Sequence, residues 1–330
     1  MSREPKRLLA SAAVLGVSGL LIFACSTSTS TSSAAQACAD VAQARCQKLQ
    51  QCSPQGLLNT YGDLASCTST QAATCVSNLA ALDTGNTPEH TEGCAQATPS
   101  QSCDDYLLGI LPTACQPPSG TRDAGSVCAV SGQCAVANCL IPKTSVCGTC
   151  TPALGAGASC FNASCGPGLV CDKVTLTCAT PVSASGACDD SSACAPGLTC
   201  LGNTASALGA CVPLATLGGN CDLTDGGSRC DGRFGLYCNV PAGKICAPVA
   251  TANASQPCGT IDGGVIECVA SAFCRKPANS KVGTCLPPAA DGSPCDTVNG
   301  PLCAAPARCV LSVEGGTTGT CQATVPQSCN

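Results

Sequence analysis

The 330-residue chain has no tryptophan, one histidine, one methionine, and only four phenylalanines and three tyrosines. A large packed core draws on aromatics and long aliphatics, each worth roughly 1.5–3 kcal/mol when buried. That material is scarce here, so a conventional oil-filled domain is excluded as the main source of stability. A single histidine rules out a zinc site built on several histidines. No Gly-x-Ser-x-Gly or comparable nucleophile motif accompanies it, so a histidine-driven hydrolase lacks its parts. Charged residues make up only 11% of the chain and the net charge is −5. A chain this poor in cations and aromatics offers neither a phosphate-neutralising patch nor stacking platforms, and nucleic-acid binding is set aside.

What is abundant is cysteine. The 45% hydrophobic content is misleading, because 49 alanines and 35 cysteines supply more than half of it. So many thiols do not persist reduced and unpaired. They are disulfides in an oxidising compartment or ligands for metal. Glycine and proline together number 58, which favours turns over long regular elements. Small units with thin cores are usually stapled covalently, at roughly 2–4 kcal/mol per bridge.

The N-terminus reads as an export signal. Arg3, Lys6 and Arg7 form a basic start, and Leu8 to Ala24 is an uncharged apolar run of 17 residues. Ile22-Phe23-Ala24-Cys25 closes it and resembles the bacterial lipobox, in which cleavage precedes a lipidated cysteine. That resemblance implies a signal peptide over 1–24 and lipid on Cys25, several acyl chains together anchoring stably. Ser26 stands where many inner-membrane lipoproteins carry Asp, which points to the outer membrane. An uncleaved anchor is the alternative, though a short run containing Gly16, Gly19, Ser11 and Ser18 makes a poor span. Either way the rest of the chain lies outside the cytoplasm. Without the first 24 residues 12 basic and 19 acidic side chains remain, a net −7. Residues 25–36, largely serine and threonine, read as a flexible tether.

Lipid on Cys25 leaves 34 cysteines, an even number that allows 17 bridges. Eight of them, Cys38, Cys46, Cys52, Cys67, Cys75, Cys94, Cys103 and Cys115, precede a Pro-rich break at Gln116–Gly120. Cys38, Val41, Arg45, Leu49 and Cys52 recur at helical steps, and Cys67 and Cys75 lie just over two turns apart on one face. Ser102 with Asp105 reads as a capping box for a short helix through Tyr106, Leu107, Leu108 and Ile110, stopped by Pro112. A helical, disulfide-stapled eight-cysteine domain is expected over 37–118.

Residues 119–330 read as tandem four-cysteine repeats, about six units of short β-hairpins and turns. Five units are regular: Cys160, Cys165, Cys171, Cys178; Cys188, Cys194, Cys200, Cys211; Cys221, Cys230, Cys238, Cys246; Cys258, Cys268, Cys274, Cys285; and Cys295, Cys303, Cys309, Cys321. Their first cysteines lie 28, 33, 37 and 37 residues apart, while the step from fourth cysteine to next first is 10, 10, 12 and 10. That near-constant linker marks a repeat. Cys165-Gly-Pro-Gly-Leu-Val-Cys171 and Cys194-Ala-Pro-Gly-Leu-Thr-Cys200 place Pro and Gly as a type II turn requires, with the leucine turned inward against the bridges. A trace survives at Gly235-Leu236-Tyr237-Cys238. Glycine precedes first cysteines at Gly157, Gly218 and Gly292, and proline follows fourth ones at Pro213, Pro248 and Pro287. Four cysteines allow three pairings, and sequence does not choose among them. The unit before these holds five cysteines, Cys128, Cys134, Cys139, Cys147 and Cys150. One of these and the left-over Cys329 are expected to be the irregular pair or two separately paired sites.

Glycine before the first cysteine and the central Cys-x-Pro-Gly-Leu-x-Cys resemble the Dickkopf-type N-terminal cysteine-rich module and EB-like extracellular modules, over about residues 125–325. The whole layout resembles cysteine-rich bacterial surface lipoproteins. The likeness implies a disulfide scaffold and no particular signalling role.

Individual sites read blandly. Cys147-Gly148-Thr149-Cys150 is a lone Cys-x-x-Cys followed by Thr151-Pro152, without the βαβ setting of a redox motif. Metal would need all-cysteine sites, which export disfavours, so neither metal nor cofactor is expected. His90 is expected in a polar surface loop, Thr87 to Gly93. Asp222, Asp225 and Asp231 cluster near glycines, but their spacing is not that of an EF-hand. Asn162-Ala-Ser and Asn253-Ala-Ser are sequons, relevant only in a eukaryotic secretory pathway. The chain therefore reads as a non-catalytic, exported, lipid-anchored surface protein, a binding or structural module whose partner is a protein or surface ligand and whose only membrane contact is the lipid. The alternative is an extracellular protease inhibitor presenting braced loops such as 222–229 and 259–267. An enzyme is the third and weakest reading.

Overall fold

The computed structural model describes residues 33–329, apart from 161–164, 173, 190–192, 205 and 225. The lipobox with Cys25, and the sequon residue Asn162, lie outside the described residues. All 34 cysteines that are described form disulfides, 17 in number.

Five α-helices come first: α1 Ala34–Cys52, α2 Pro54–Tyr61, α3 Leu64–Leu79, α4 Pro88–Ala97 and α5 Cys103–Leu107. Four of them start at a side chain that accepts a hydrogen bond from an otherwise orphaned backbone N–H. Ser33 accepts from Gln36, Asp63 from Ser66, Thr87 from His90 and Ser102 from Asp105. The fifth, α2, has Pro54 in its first turn, where no N–H is needed. The cap at Ser33 brings Ala34, Ala35 and Gln36 into α1, so the segment read as tether ends sooner than expected. In α5 the expected cap forms, but the helix stops at Leu107 rather than running to Ile110. Gly109 takes φ +67°, and the Gly109 and Ile110 N–H groups turn back to the Tyr106 and Asp105 carbonyls. This glycine closure ends the helix before Pro112 can.

Two bridges tie α3 to α1, Cys38–Cys75 and Cys46–Cys67. A step of eight residues forward on α1 matches eight backward on α3, so the two helices run antiparallel with like faces opposed. Cys52–Cys103 attaches α5 to α1, and Cys94–Cys115 ties α4 to the turn at 113–115. Because α1 is surrounded by the other helices, it is buried more broadly than one stripe. Cys46, Ala42, Ala44 and Lys48 are buried as well as Cys38, Val41 and Cys52, while Arg45 and Leu49 are half-buried. The Lys48 ammonium is satisfied by the Gln101 carbonyl at 2.7 Å and the Gln51 amide oxygen at 3.0 Å.

From Val127 onward the chain repeats one backbone unit six times. The pairing is first cysteine to third and second to fourth in every unit, as in Cys160–Cys171 with Cys165–Cys178 and Cys295–Cys309 with Cys303–Cys321. The five-cysteine unit obeys the same rule, Cys128–Cys139 and Cys134–Cys150, and releases Cys147 to bond Cys329. In each unit the third and fourth cysteines face each other across an antiparallel pair, as Cys200 faces Cys211 and Cys309 faces Cys321, yet neither bonds its neighbour.

The strand order where three strands form is first-cysteine, fourth-cysteine, third-cysteine, as in the sheets of Val127–Cys150, Ala187–Pro213 and Pro294–Gln322. The bridge from first to third cysteine therefore spans the middle strand. In a flat sheet its ends would be roughly 9–10 Å apart, but the Cα atoms are 5.7–5.9 Å apart. The sheet is curled sharply around the middle strand. The residue opposite the first cysteine then has no room for a side chain. A Cβ at Gly148, Gly209, Gly283 or Gly319 would overlap the carbonyl of Leu140, Leu201, Arg275 or Val310, always the residue after the third cysteine.

The residue three before each first cysteine is left-handed in all six units: Gly125, Gly157, Ser185, Gly218, Ser255 and Gly292, with φ between 63° and 89°. Its N–H donates to the carbonyl of the fourth cysteine at 2.7–2.9 Å every time. The expected type II turns form at Pro167-Gly168 and Pro196-Gly197, with Gly168 at φ +78° and Gly197 at φ +83°. The leucines that follow, Leu169 and Leu198, are half-buried rather than turned fully inward, because the bridges themselves fill the interior. Buried residues of the repeats are chiefly cysteines.

The units do not form an open rod. The fifth unit caps α2: Ala270 and Ser271 donate to the Leu58, Asn59 and Thr60 carbonyls of its last turn, the Leu58 carbonyl taking the Gly62 N–H as well. Gln55 and Asn59 of α2 both donate to the Glu267 carboxylate. The last unit lies against the first, with Leu311 N–H on the Lys143 carbonyl and Arg308 on the Pro142 carbonyl. Cys147–Cys329 then closes the circuit over 182 residues.

Candidate functional site

Most of the chemistry weighed from the sequence is absorbed into structure. Cys147 and Cys150 are not bonded to each other; their partners are Cys329 and Cys134. The groups of three sulfurs within 4.8 Å of one another, such as Cys128, Cys134 and Cys150, belong to adjacent disulfides, and a bridged sulfur is no thiolate ligand. Asp225 lies outside the described residues. Asp222 takes Thr224 N–H and the Lys244 ammonium, and its carboxyl is held below the usual aspartate range, first by the Thr224 bond. Asp231 is buried and paired with Arg233 at 2.7 Å. These carboxylates are spent on turns. Asn253 sits exposed in a turn.

Both loops considered for contact are braced. Segment 259–267 is a regular hairpin whose tip, Asp262-Gly263, has φ +49° and +80°, the two-residue turn that matches strand twist. Segment 222–229 is held by Asp222 N–H on the Ser228 carbonyl and by Gly202 N–H on Gly226.

His90 is not in a loop. It stands in the first turn of α4, because Thr87 caps and Pro88 opens that helix. Thr87-Pro88-Glu89 carried the signal: a capping hydroxyl, a proline at the first helical position and an acid in the first turn. The His90 ring Nε2 donates to the Gln116 carbonyl at 2.9 Å.

His90 also lines a recess where a cation without a counter-charge meets apolar walls. The recess, about 400 Å³, opens between α1, α3, α4 and the first repeat unit. Leu79, Leu111 and Ile141 give it apolar walls, Asn78, Asn86 and His90 add polar edges, and Arg45 lines it as well. Among the described residues no Asp or Glu lines it. Arg45 contacts the Cys94 sulfur at 3.8 Å, and its backbone carbonyl accepts the Tyr106 hydroxyl at 3.0 Å. Burial pushes the Arg45 guanidinium below the usual arginine range, the Tyr106 phenol acting the other way. Three ion pairs occur among the described residues, and Arg45 is in none of them. Sequence reasoning placed Arg45 on one helical stripe with Cys38, Val41, Leu49 and Cys52 and gave it no further role; the recess depends on the first unit lying against the helices, which periodicity does not encode.

Among the described residues no helix is long and apolar enough to cross a membrane. Disulfides in this number belong to an extracytoplasmic protein. No family model matches the chain, and neither does any curated protein or solved structure. What stands is a cysteine-rich protein of tandem, disulfide-braced small β-sheet units behind a stapled helical region.

Proposed function

We propose that the protein is a non-catalytic surface module, exported and held by lipid on Cys25 to a bacterial outer membrane, which binds a protein or surface ligand. The observation that carries this reading is the bridging of every described cysteine, with one braced backbone unit used six times over. Such a scaffold holds its loops in place before a partner arrives, which lowers the ordering cost of binding. The likeness to Dickkopf-type and EB-like modules supports the same role and goes no further. The braced 259–267 hairpin keeps the protease-inhibitor reading as the alternative; that role requires stoichiometric, saturable inhibition.

Lipidation is tested by growing cells with labelled palmitate. The wild-type chain is expected to take up label and sediment with membranes, and Cys25→Ala to do neither. A wild-type chain without label overturns the anchor. Capture of one saturable partner from surface extract by the oxidised protein, lost after reduction, is the expected sign of the binding role.

A further inference from the structure

We infer that the recess around Arg45 is a binding site for a small monoanion with an apolar body, a carboxylate or sulfonate of aromatic or aliphatic character. This deepens the reading of a binding module and rests on it only in assuming that the protein binds a ligand.

The argument starts from cost. A guanidinium partly withdrawn from water without a counter-charge is unfavourable, and proteins normally pair such a group. Arg45 is half-buried, meets a disulfide sulfur instead of a carboxylate, and lines a recess with no acidic residue among its described lining. The chain beyond residue 24 is acidic, at −7, so acids are not scarce; they are absent from this place. A planar fork of donors selects carboxylate-like oxygens. The walls set the remainder of the ligand. Leu79, Leu111 and Ile141 present apolar surface, and about 400 Å³ lies within the range of small-molecule sites. Cys38–Cys75 locks α1 to α3 and Cys94–Cys115 fixes α4 to the turn at 113–115, so the recess is braced before a ligand arrives.

The probes are 1-naphthoate and its neutral isostere 1-naphthalenemethanol, measured by equilibrium dialysis against the full oxidised chain in lipid nanodiscs, with empty nanodiscs subtracted. The expected result is saturable binding of one naphthoate per chain, with the alcohol bound at least about tenfold more weakly, the value of one charge-assisted contact. Arg45→Met keeps the apolar stem and is expected to bring naphthoate down to the alcohol's affinity while leaving the alcohol unchanged. Leu111→Trp, which fills space from a wall and keeps the cation, is expected to weaken both probes, and serves if Arg45→Met does not fold. Equal affinities for the two probes in the wild type, naphthoate binding that survives Arg45→Met, or no saturable binding overturns the site. None of these outcomes touches lipidation or partner capture, so the broader reading fails or stands by its own test.

Discussion

The helical region and the repeats use the same bond for different purposes. In the helices a bridge joins elements that local chemistry has already favoured. Caps at Ser33, Asp63, Thr87 and Ser102 start them, apolar residues such as Val41 and Leu57 are buried between them, and the four bridges span 21–51 residues. In the repeats the bridge makes the element. Strands of two to five residues carry too little apolar surface to pair stably alone. Bridges within each unit span 11–18 residues, each worth roughly 3 kcal/mol on chain-entropy grounds. Sulfur there is both staple and core.

Complete reduction should separate the two regions most widely. The repeats are expected to lose all amide dispersion in NMR spectra, while the helical region keeps part of its helical circular dichroism through capped helix propensity. Repeats that stay dispersed when fully reduced would break the comparison.

Glycine to alanine should change sign between the regions. Gly292 is left-handed and begins the last unit, so Gly292→Ala is expected to cost about 1 kcal/mol. Gly93 lies inside α4 with open space around its Cα, so Gly93→Ala is expected to stabilise by up to about 1 kcal/mol. The converse change Ser255→Gly should stabilise, since Ser255 holds the same left-handed place as Gly292. Denaturant midpoints of the oxidised proteins measure all three; the same sign for Gly292→Ala and Gly93→Ala would refute the distinction.

The smallest effect concerns acid. The Asp63 carboxyl is held below the usual aspartate range chiefly by the Ser66 N–H, and that of Asp296 chiefly by the Val298 N–H. A folded-state value below the unfolded one means the contribution is complete above the unfolded value and is lost as pH falls through the folded one. Acidification should therefore lower the protection of the Ser66 and Val298 amides, measured against the intrinsic exchange rate at each pH. A bridge stands beside each, Cys46–Cys67 next to Ser66 and Cys295–Cys309 near Val298, so both losses should be small and similar. Protection that does not change with pH at either site would refute the carboxylate contacts.

Much of this was legible from residue order. The fourfold cysteine spacing, the Pro-Gly turns and the Ser102 cap are local signals, and each formed where local geometry required it. The glycine two residues before the fourth cysteine was equally visible, at Gly148, Gly209, Gly283 and Gly319. Its meaning was hidden until the bridge across the middle strand showed why no Cβ fits. His90 was misplaced because the Thr87-Pro88 start was read as loop composition instead of as a cap.

Residue order alone determined that this protein is held by sulfur, belongs outside the cytoplasm, and is built of repeats, because cysteine number and spacing, unlike packing, are one-dimensional facts. The tertiary structure decided which sulfurs join, that the last unit returns to the first through Cys147–Cys329, and that Arg45 ends in a recess without a counter-charge. Each of those depends on residues far apart in the chain reaching bonding distance. That is set by the curl of every small sheet and the angle between successive units, and no spacing in the sequence records it.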